Sequence, residues 1–221
     1  MGYNYIYIFR HGKTYYNTLY KFTGWKDSKL TPAGIRNSKT IANKLKNKKI
    51  DVAFQTTLSR SKQTLKYVLR YHPECRRIIT DDRMIERSYG RLEGRSHLWF
   101  IRREGNEDYK TLLKWHKINR LENGERKRFV ETLGKAEFDI IHRSYDIPPP
   151  GGESFKDVEK RVKPFVRDLI NYIKKNKVNV AISSHGNSIR LFRKIMENSS
   201  VKDTCSWFIP YDKVFVYKVK V

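Results

Sequence analysis

Sulfur is scarce in this chain: Cys75 and Cys205 are the two cysteines among 221 residues. Two thiols build neither a disulfide framework nor the ligand spacing of a zinc site, and they suit a reducing compartment. Long apolar runs are missing as well. No stretch approaches the roughly 20 residues that cross a bilayer, and the N-terminus lacks the pattern of a signal peptide. Gly2 invites myristoylation, but Ile6 stands where that signal wants serine or threonine. These absences predict a cytoplasmic protein with no membrane partner. No repeat or low-complexity tract is present, and the length fits a single domain over residues 1–221.

Acidic residues are the other scarcity. Asp and Glu number 23 against 47 Lys and Arg, a formal net charge of +24. Such a surface attracts polyanions. The basic residues are nevertheless spread along the chain, with short clusters only at 44–49 and 126–128. Lys, Asn, Ile and Tyr are abundant throughout, as a compositional bias would produce. The spread favours a solvated surface over a dedicated nucleic-acid site.

What is present begins with Arg10-His11-Gly12. The apolar run Tyr3 to Phe9 ends abruptly in this turn, as a buried strand would. The carboxyl end of a strand is where open α/β sheets bind ligands. There an imidazole can act as nucleophile or base near neutral pH, and a guanidinium can hold a phosphate. One such turn alone is more often a satisfied loop histidine. Val178 to Asn187 repeats the pattern, however: strand, then His185-Gly186, then helical spacing at Ile189, Phe192 and Ile195 or Met196. Two strand-His-Gly units can set two imidazoles at one sheet edge, which points to phosphoryl transfer through a histidine nucleophile.

The intervening pattern is α/β. Thr31 and Pro32 predict a helix start, with Leu30 stapling to Ile35. Asp51–Gln55 predicts a buried strand whose carboxyl end leads into a helix carrying Arg60 in its first turn. Cations are disfavoured there by the helix dipole, so a required anion explains Arg60 better than chance placement. Ile78-Ile79 predicts a short strand. The stretch from Leu98 to Ile141 reads as less regular, with helical patterns at 109–118 and 129–140. Ser154 and Asp157 predict a cap for a long helix with core face Phe155, Val158, Val162, Phe165, Val166, Leu169 and Ile173, kinked at Pro164. Residues 213–221 alternate as an edge strand does. Strands alternating with helices imply a mainly parallel sheet.

If the three strand ends converge, Arg10, Arg60 and His185 surround His11. A nucleophilic His11 must be neutral, and the two guanidiniums would depress its pKa. They and a protonated His185 would stabilise charge on the phosphoryl oxygens. Glu86 is the candidate general acid, an exposed salt bridge being the plain alternative.

Taken together, Arg10-His11-Gly12, Asn17, Phe22-Thr23-Gly24-Trp25, Leu58-Ser59-Arg60, Glu86-Arg87-Ser88-Tyr89-Gly90 and Ser184-His185-Gly186-Asn187 resemble the histidine phosphatase superfamily. More narrowly, Arg143 through Ser154 and Arg161 through Phe165 are similar to the cofactor-dependent phosphoglycerate mutases. The resemblance implies a mostly parallel sheet with helices on both faces and one antiparallel edge strand. It implies that His11 carries a phosphoryl group donated initially by 2,3-bisphosphoglycerate, cradled by Arg10, Arg60 and His185, with Glu86 as proton donor. Asn17, Thr23, Gly24, Arg87, Tyr89, His97, His142, Arg143, Gly186 and Asn187 match positions that hold the substrate's phosphates or carboxylate. No metal is implied, and a homo-oligomer is left open.

Two substitutions stand out against that family. His97 replaces a lysine that grips the substrate, and His142 replaces the first of two arginines. Residues of about 98–141 exceed the mutase spacing where the family has its active-site lid. The expected reaction is interconversion of 3- and 2-phosphoglycerate in glycolysis. The alternatives are a phosphatase of the same superfamily, or a non-catalytic scaffold that binds nucleic acid through its basic surface.

Overall fold

A computed structural model describes residues 2–221. Its centre is a five-stranded sheet in the order β3-β2-β4-β1-β5. The strands are β1 (Tyr3–Arg10), β2 (Val52–Gln55), β3 (Arg77–Thr80), β4 (Val180–Ser184) and β5 (Val214–Lys220). β1 through β4 run parallel, and β5 closes the β1 edge antiparallel. Alternation along each strand supplies two cores. Ile6, Ile8, Val52, Phe54, Val180 and Ile182 face one layer, with α6 (Phe155–Asn176) and α7 (Gly186–Glu197) packed over it. Tyr7, Phe9, Ala53 and Ala181 face the other, under α2 (Pro32–Leu45) and α3 (Ser59–Leu69). Residues in the parallel part are therefore apolar on both faces, as doubly covered strands require.

Local chemistry sets the helix ends. Thr31 accepts from the Gly34 amide and Pro32 opens α2, the arrangement that satisfies an orphan N–H without losing one. Ser154 and Asp157 form a reciprocal capping box for α6. That helix runs on through Pro164 to Asn176. The carbonyl freed by the proline belongs to Lys160, on the exposed side, so water can satisfy it and the helix need not break.

The stretch expected to be less regular is instead a helical hairpin, α4 (His97–Lys114) and α5 (Asn123–Arg143). Ser96 caps α4 by accepting from the Trp99 amide, so the helix starts well before Tyr109. It ends at Lys114, with His116 at a left-handed φ of 50° and Trp115 67% exposed. The helical pattern expected over residues 109–118 therefore stops at Lys114. Two glycines that depress helix propensity hide the hairpin from a pattern reading. They are contact points: a Cβ on Gly105 would strike the Val130 carbonyl, and one on Gly134 the Ile101 carbonyl. At the hairpin's base, Phe100 and Ile141 join Phe22, Tyr89 and Leu92 in a third cluster. No helix among the described residues is long and apolar enough to cross a membrane.

The remaining α-helices are short: α1 (Tyr15–Thr18) and α8 (Val201–Ser206).

Gly134→Ala is expected to lower unfolding free energy by about 1–3 kcal/mol through overpacking. Helix propensity alone would raise it by about 1 kcal/mol. Urea denaturation gives the sign, and a stabilised variant would refute the close approach.

Candidate active site

Three parallel strands deliver the site. Arg10 pairs in register with Ser184, and the His11 amide donates to the Ser184 carbonyl at 2.9 Å. Each histidine leaves the sheet one residue later, at the same edge. The ring centroids of His11 and His185 are 5.1 Å apart. β2, the other neighbour of β4, ends one residue before Thr56, whose Oγ1 lies 2.8 Å from His185 Nε2.

The His11 turn is held tightly. The Gly12 amide donates to Thr64 Oγ1, and a Cβ on Gly12 would strike the backbone of Gly34. His11 Nδ1 lies 2.8 Å from the Gly12 carbonyl. A carbonyl can only accept, so Nδ1 carries the proton and Nε2 keeps its lone pair. Nε2 is thereby left unprotonated, the tautomer that an attack through Nε2 would need.

Two guanidiniums flank it. Arg10 donates to the Ile209 carbonyl and lies 4.0 Å from the Tyr211 ring centroid. Arg60, fully buried, donates to the carbonyls of Lys26 and Gly24. Glu86 closes the group: its Oε1 accepts from the amides of Arg87 at 2.8 Å and Asn187 at 3.1 Å. Its loop is pinned by Arg161, which donates to the carbonyls of Arg83, Ile85 and Glu86. Ser184 and Ser188 add bonds to Met84 and Ile85. The exposed-salt-bridge alternative for Glu86 does not describe a carboxylate 8% exposed.

Burial, then Arg60 and Arg10, hold the His11 pKa well below its usual 6.5. Burial, Arg60, His11 and Arg10 do the same to His185. The protonated His185 expected from the chain is thus disfavoured before an anion arrives. A negative charge bound at the site would offset those neighbours.

A cavity of about 290 Å³ opens over the pair. Arg10, His11, Arg60 and Glu86 line it, as do Asn17, Thr23, Gly24, Tyr89, His97, His142, Arg143, Gly186 and Asn187. His185 sits beneath, fully buried. Arg87 is placed elsewhere: it is enclosed between the Tyr89 and Phe155 rings and donates to the Ile141 carbonyl. His97 and His142 are part of an aromatic wall, with His97 4.7 Å from Phe22 and His142 4.0 Å from Phe138 between centroids. Burial lowers the His97 pKa to about 4. Burial, Arg87 and His97 take His142 to about 2. Neither is a cation near neutral pH.

His11, Glu86 and His185 offer ligand atoms within 4.8 Å of one another, a spacing a divalent metal could use. Arg10 and Arg60 stand against the same atoms, and two fixed positive charges favour an anion over a cation there.

A family model for the histidine phosphatase superfamily (branch 1) matches residues 6–136 and 130–218. The chain belongs to the histidine phosphatase superfamily. It is 31% identical over 218 residues to a 2,3-bisphosphoglycerate-dependent phosphoglycerate mutase of Chlamydia caviae, spanning 96% of this chain and 92% of that one. It is 33% identical over 191 residues to a phosphoglycerate mutase of Schizosaccharomyces pombe, covering 85% and 76%. Among solved structures, a mycobacterial glucosyl-3-phosphoglycerate phosphatase superposes with TM-score 0.68 at 16% identity, covering 99% and 97%. A phosphoglycerate mutase of Bacillus anthracis gives 0.63 at 20%, covering 91% and 83%. At these identities the structural neighbours share the fold.

Within this histidine phosphatase, sequence reasoning passed over Thr56, Lys21, Tyr211 and Arg190. Thr56 was legible only as the residue that follows a third parallel strand, its contact with His185 being set by the fold. Arg190 lies four residues after Gly186 and three after Asn187 on α7, hence on the same helix face. Lys21 and Tyr211 carry no such signal, being brought in by loops.

Two outcomes follow from this geometry. Thr56→Val is expected to lower kcat tenfold or more with KM little changed, since it removes the hydrogen bond that orients His185; Thr56→Ser should restore it. Separately, the folded chain keeps its site histidines neutral, while the unfolded chain takes up protons below about pH 6.5. Stability should therefore be full above pH 7 and fall as pH drops below 6.5, by up to about 1.4 kcal/mol per pH unit for each such histidine. Urea midpoints that stay level from pH 7.5 to 5 would contradict this.

Proposed function

We propose that the protein is a phosphoglycerate mutase that interconverts 3- and 2-phosphoglycerate through a phosphohistidine at His11. The observation that carries the reading is the paired imidazole site, with a proton fixed on His11 Nδ1 and Nε2 free beneath two guanidiniums. Relatives bearing the mutase name over nearly the whole chain support it. Glycolytic placement in the cytoplasm belongs to the same reading.

His11 Nε2 would attack phosphorus in line, forming a P–N bond as the P–O bond to the leaving oxygen breaks. Glu86 would give its proton to that oxygen. In the reverse half, Glu86 would take the proton from a substrate hydroxyl whose oxygen displaces Nε2. Arg10, Arg60 and His185 would hold the three equatorial oxygens, where most of the transition-state charge lies. 2,3-Bisphosphoglycerate fits as the first donor: the cavity wall carries Arg10, Lys21, Arg60, Arg143 and Arg190 against the single carboxylate Glu86.

One observation favours a phosphatase instead. His97 and His142 are uncharged, so a leaving product is gripped by fewer cations and water could reach the phosphohistidine first. The wild-type protein is to be incubated with 3-phosphoglycerate, with and without 2,3-bisphosphoglycerate. The mutase reading expects 2-phosphoglycerate to form faster than inorganic phosphate, stimulated by the bisphosphate, and His11→Ala to abolish both product and protein labelling. Phosphate release outrunning isomerisation would favour the phosphatase. Full activity in His11→Ala would end both.

A further inference from the structure

A cation buried without a counter-ion is costly, and one stands in the cavity wall. Arg190 is 9% exposed. Its one hydrogen bond to protein runs from Nη1 to Asn187 Oδ1 at 3.1 Å, and its Nε is buried with no partner. No carboxylate among the described residues lies within ion-pair distance of it. Its neighbours make matters worse: Arg87, itself fully buried with Nε and Nη2 unpartnered, shares the Phe155 ring with it, at 4.6 Å against 5.6 Å for Arg190. Arg143 lines the same cavity. Arg60 also has an unpartnered Nε, but two carbonyls hold its other nitrogens and Asp27 lies 3.7 Å away. Arg190, buried and short of acceptors, lines the cavity with Arg143, and the two form a site for an anion that the protein itself does not provide.

That anion is not the transferring phosphoryl group, which Arg10 and Arg60 already flank. It is also out of reach of charge from His97 and His142, which are neutral imidazoles in an aromatic wall. We infer that Arg190 directly binds the second acidic group of the substrate, a carboxylate or second phosphate, assisted by Arg143. Arg190 is then the residue that selects phosphorylated acids over phosphomonoesters carrying one anionic group. This rests on the phosphoryl-transfer reading of the site, and not on whether isomer or phosphate is released.

A purely structural Arg190 would instead brace Asn187, whose amide holds Glu86. Losing such a brace would impair every substrate alike. The test is the ratio of kcat/KM for 3-phosphoglycerate to kcat/KM for p-nitrophenyl phosphate, scored on total turnover. In Arg190→Gln the ratio should fall tenfold to a hundredfold, the worth of a charge-assisted bond, with the change mostly in KM for phosphoglycerate. Arg190→Lys, which keeps the charge and serves if the glutamine variant fails to fold, should lose less than Arg190→Gln but still fall at least threefold. A ratio unchanged in the folded variants, whether from equal losses or none, overturns the inference. If wild-type enzyme releases phosphate instead of isomer, the mutase reading fails while this ratio remains measurable.

Discussion

Everything at the site depends on one parallel pairing. β1 and β4 are hydrogen-bonded so that Arg10 sits opposite Ser184, and both chains then turn at a His-Gly step. Two imidazoles 174 residues apart in sequence become neighbours because two paired strands end in register. A slip of one residue in either strand would turn its side chains to the opposite face. The double burial of Ile6, Ile8, Val180 and Ile182 on one side, and Tyr7, Phe9 and Ala181 on the other, opposes any such slip. The hydrophobic core and the chemistry are therefore the same constraint seen from two ends of the sheet.

The second constraint is electrostatic. Positive charge is concentrated around the buried His11, with a single carboxylate among the lining residues. Burial, and then this charge, keeps His11 neutral. Backbone carbonyls accept from Arg10 and Arg60, leaving them fixed in place. Such preorganised dipoles and charges need not rearrange when a phosphoryl group arrives. All four guanidiniums, those of Arg10, Arg60, Arg87 and Arg190, keep an unpartnered Nε, but Arg190 has only the Asn187 side chain, and no backbone carbonyl, to hold it.

The hairpin of α4 and α5 changes the character of the cavity's far wall. Its base brings His97, Phe138 and His142 against Phe22 and Tyr89. Imidazoles packed among rings lose water and with it their protons, so His97 and His142 present uncharged contacts to the cavity. The same burial that stabilises the hairpin thus alters what the cavity can grip.

Much of this was legible in the chain alone. Strand-His-Gly twice, the Thr31-Pro32 and Ser154/Asp157 caps, Arg60 in a helix's first turn and the alternating last strand each depend on neighbours in sequence, so local chemistry was enough to read them. The α4–α5 hairpin was not, because Gly105 and Gly134 speak against helix locally and are explained only by the backbone they touch. Nor could the chain alone show Thr56 beneath His185, Arg87 turned away from the cavity, or the neutral state of His97 and His142. Those are set by which strands become neighbours and which side chains lose water, and burial is a property of the assembled fold.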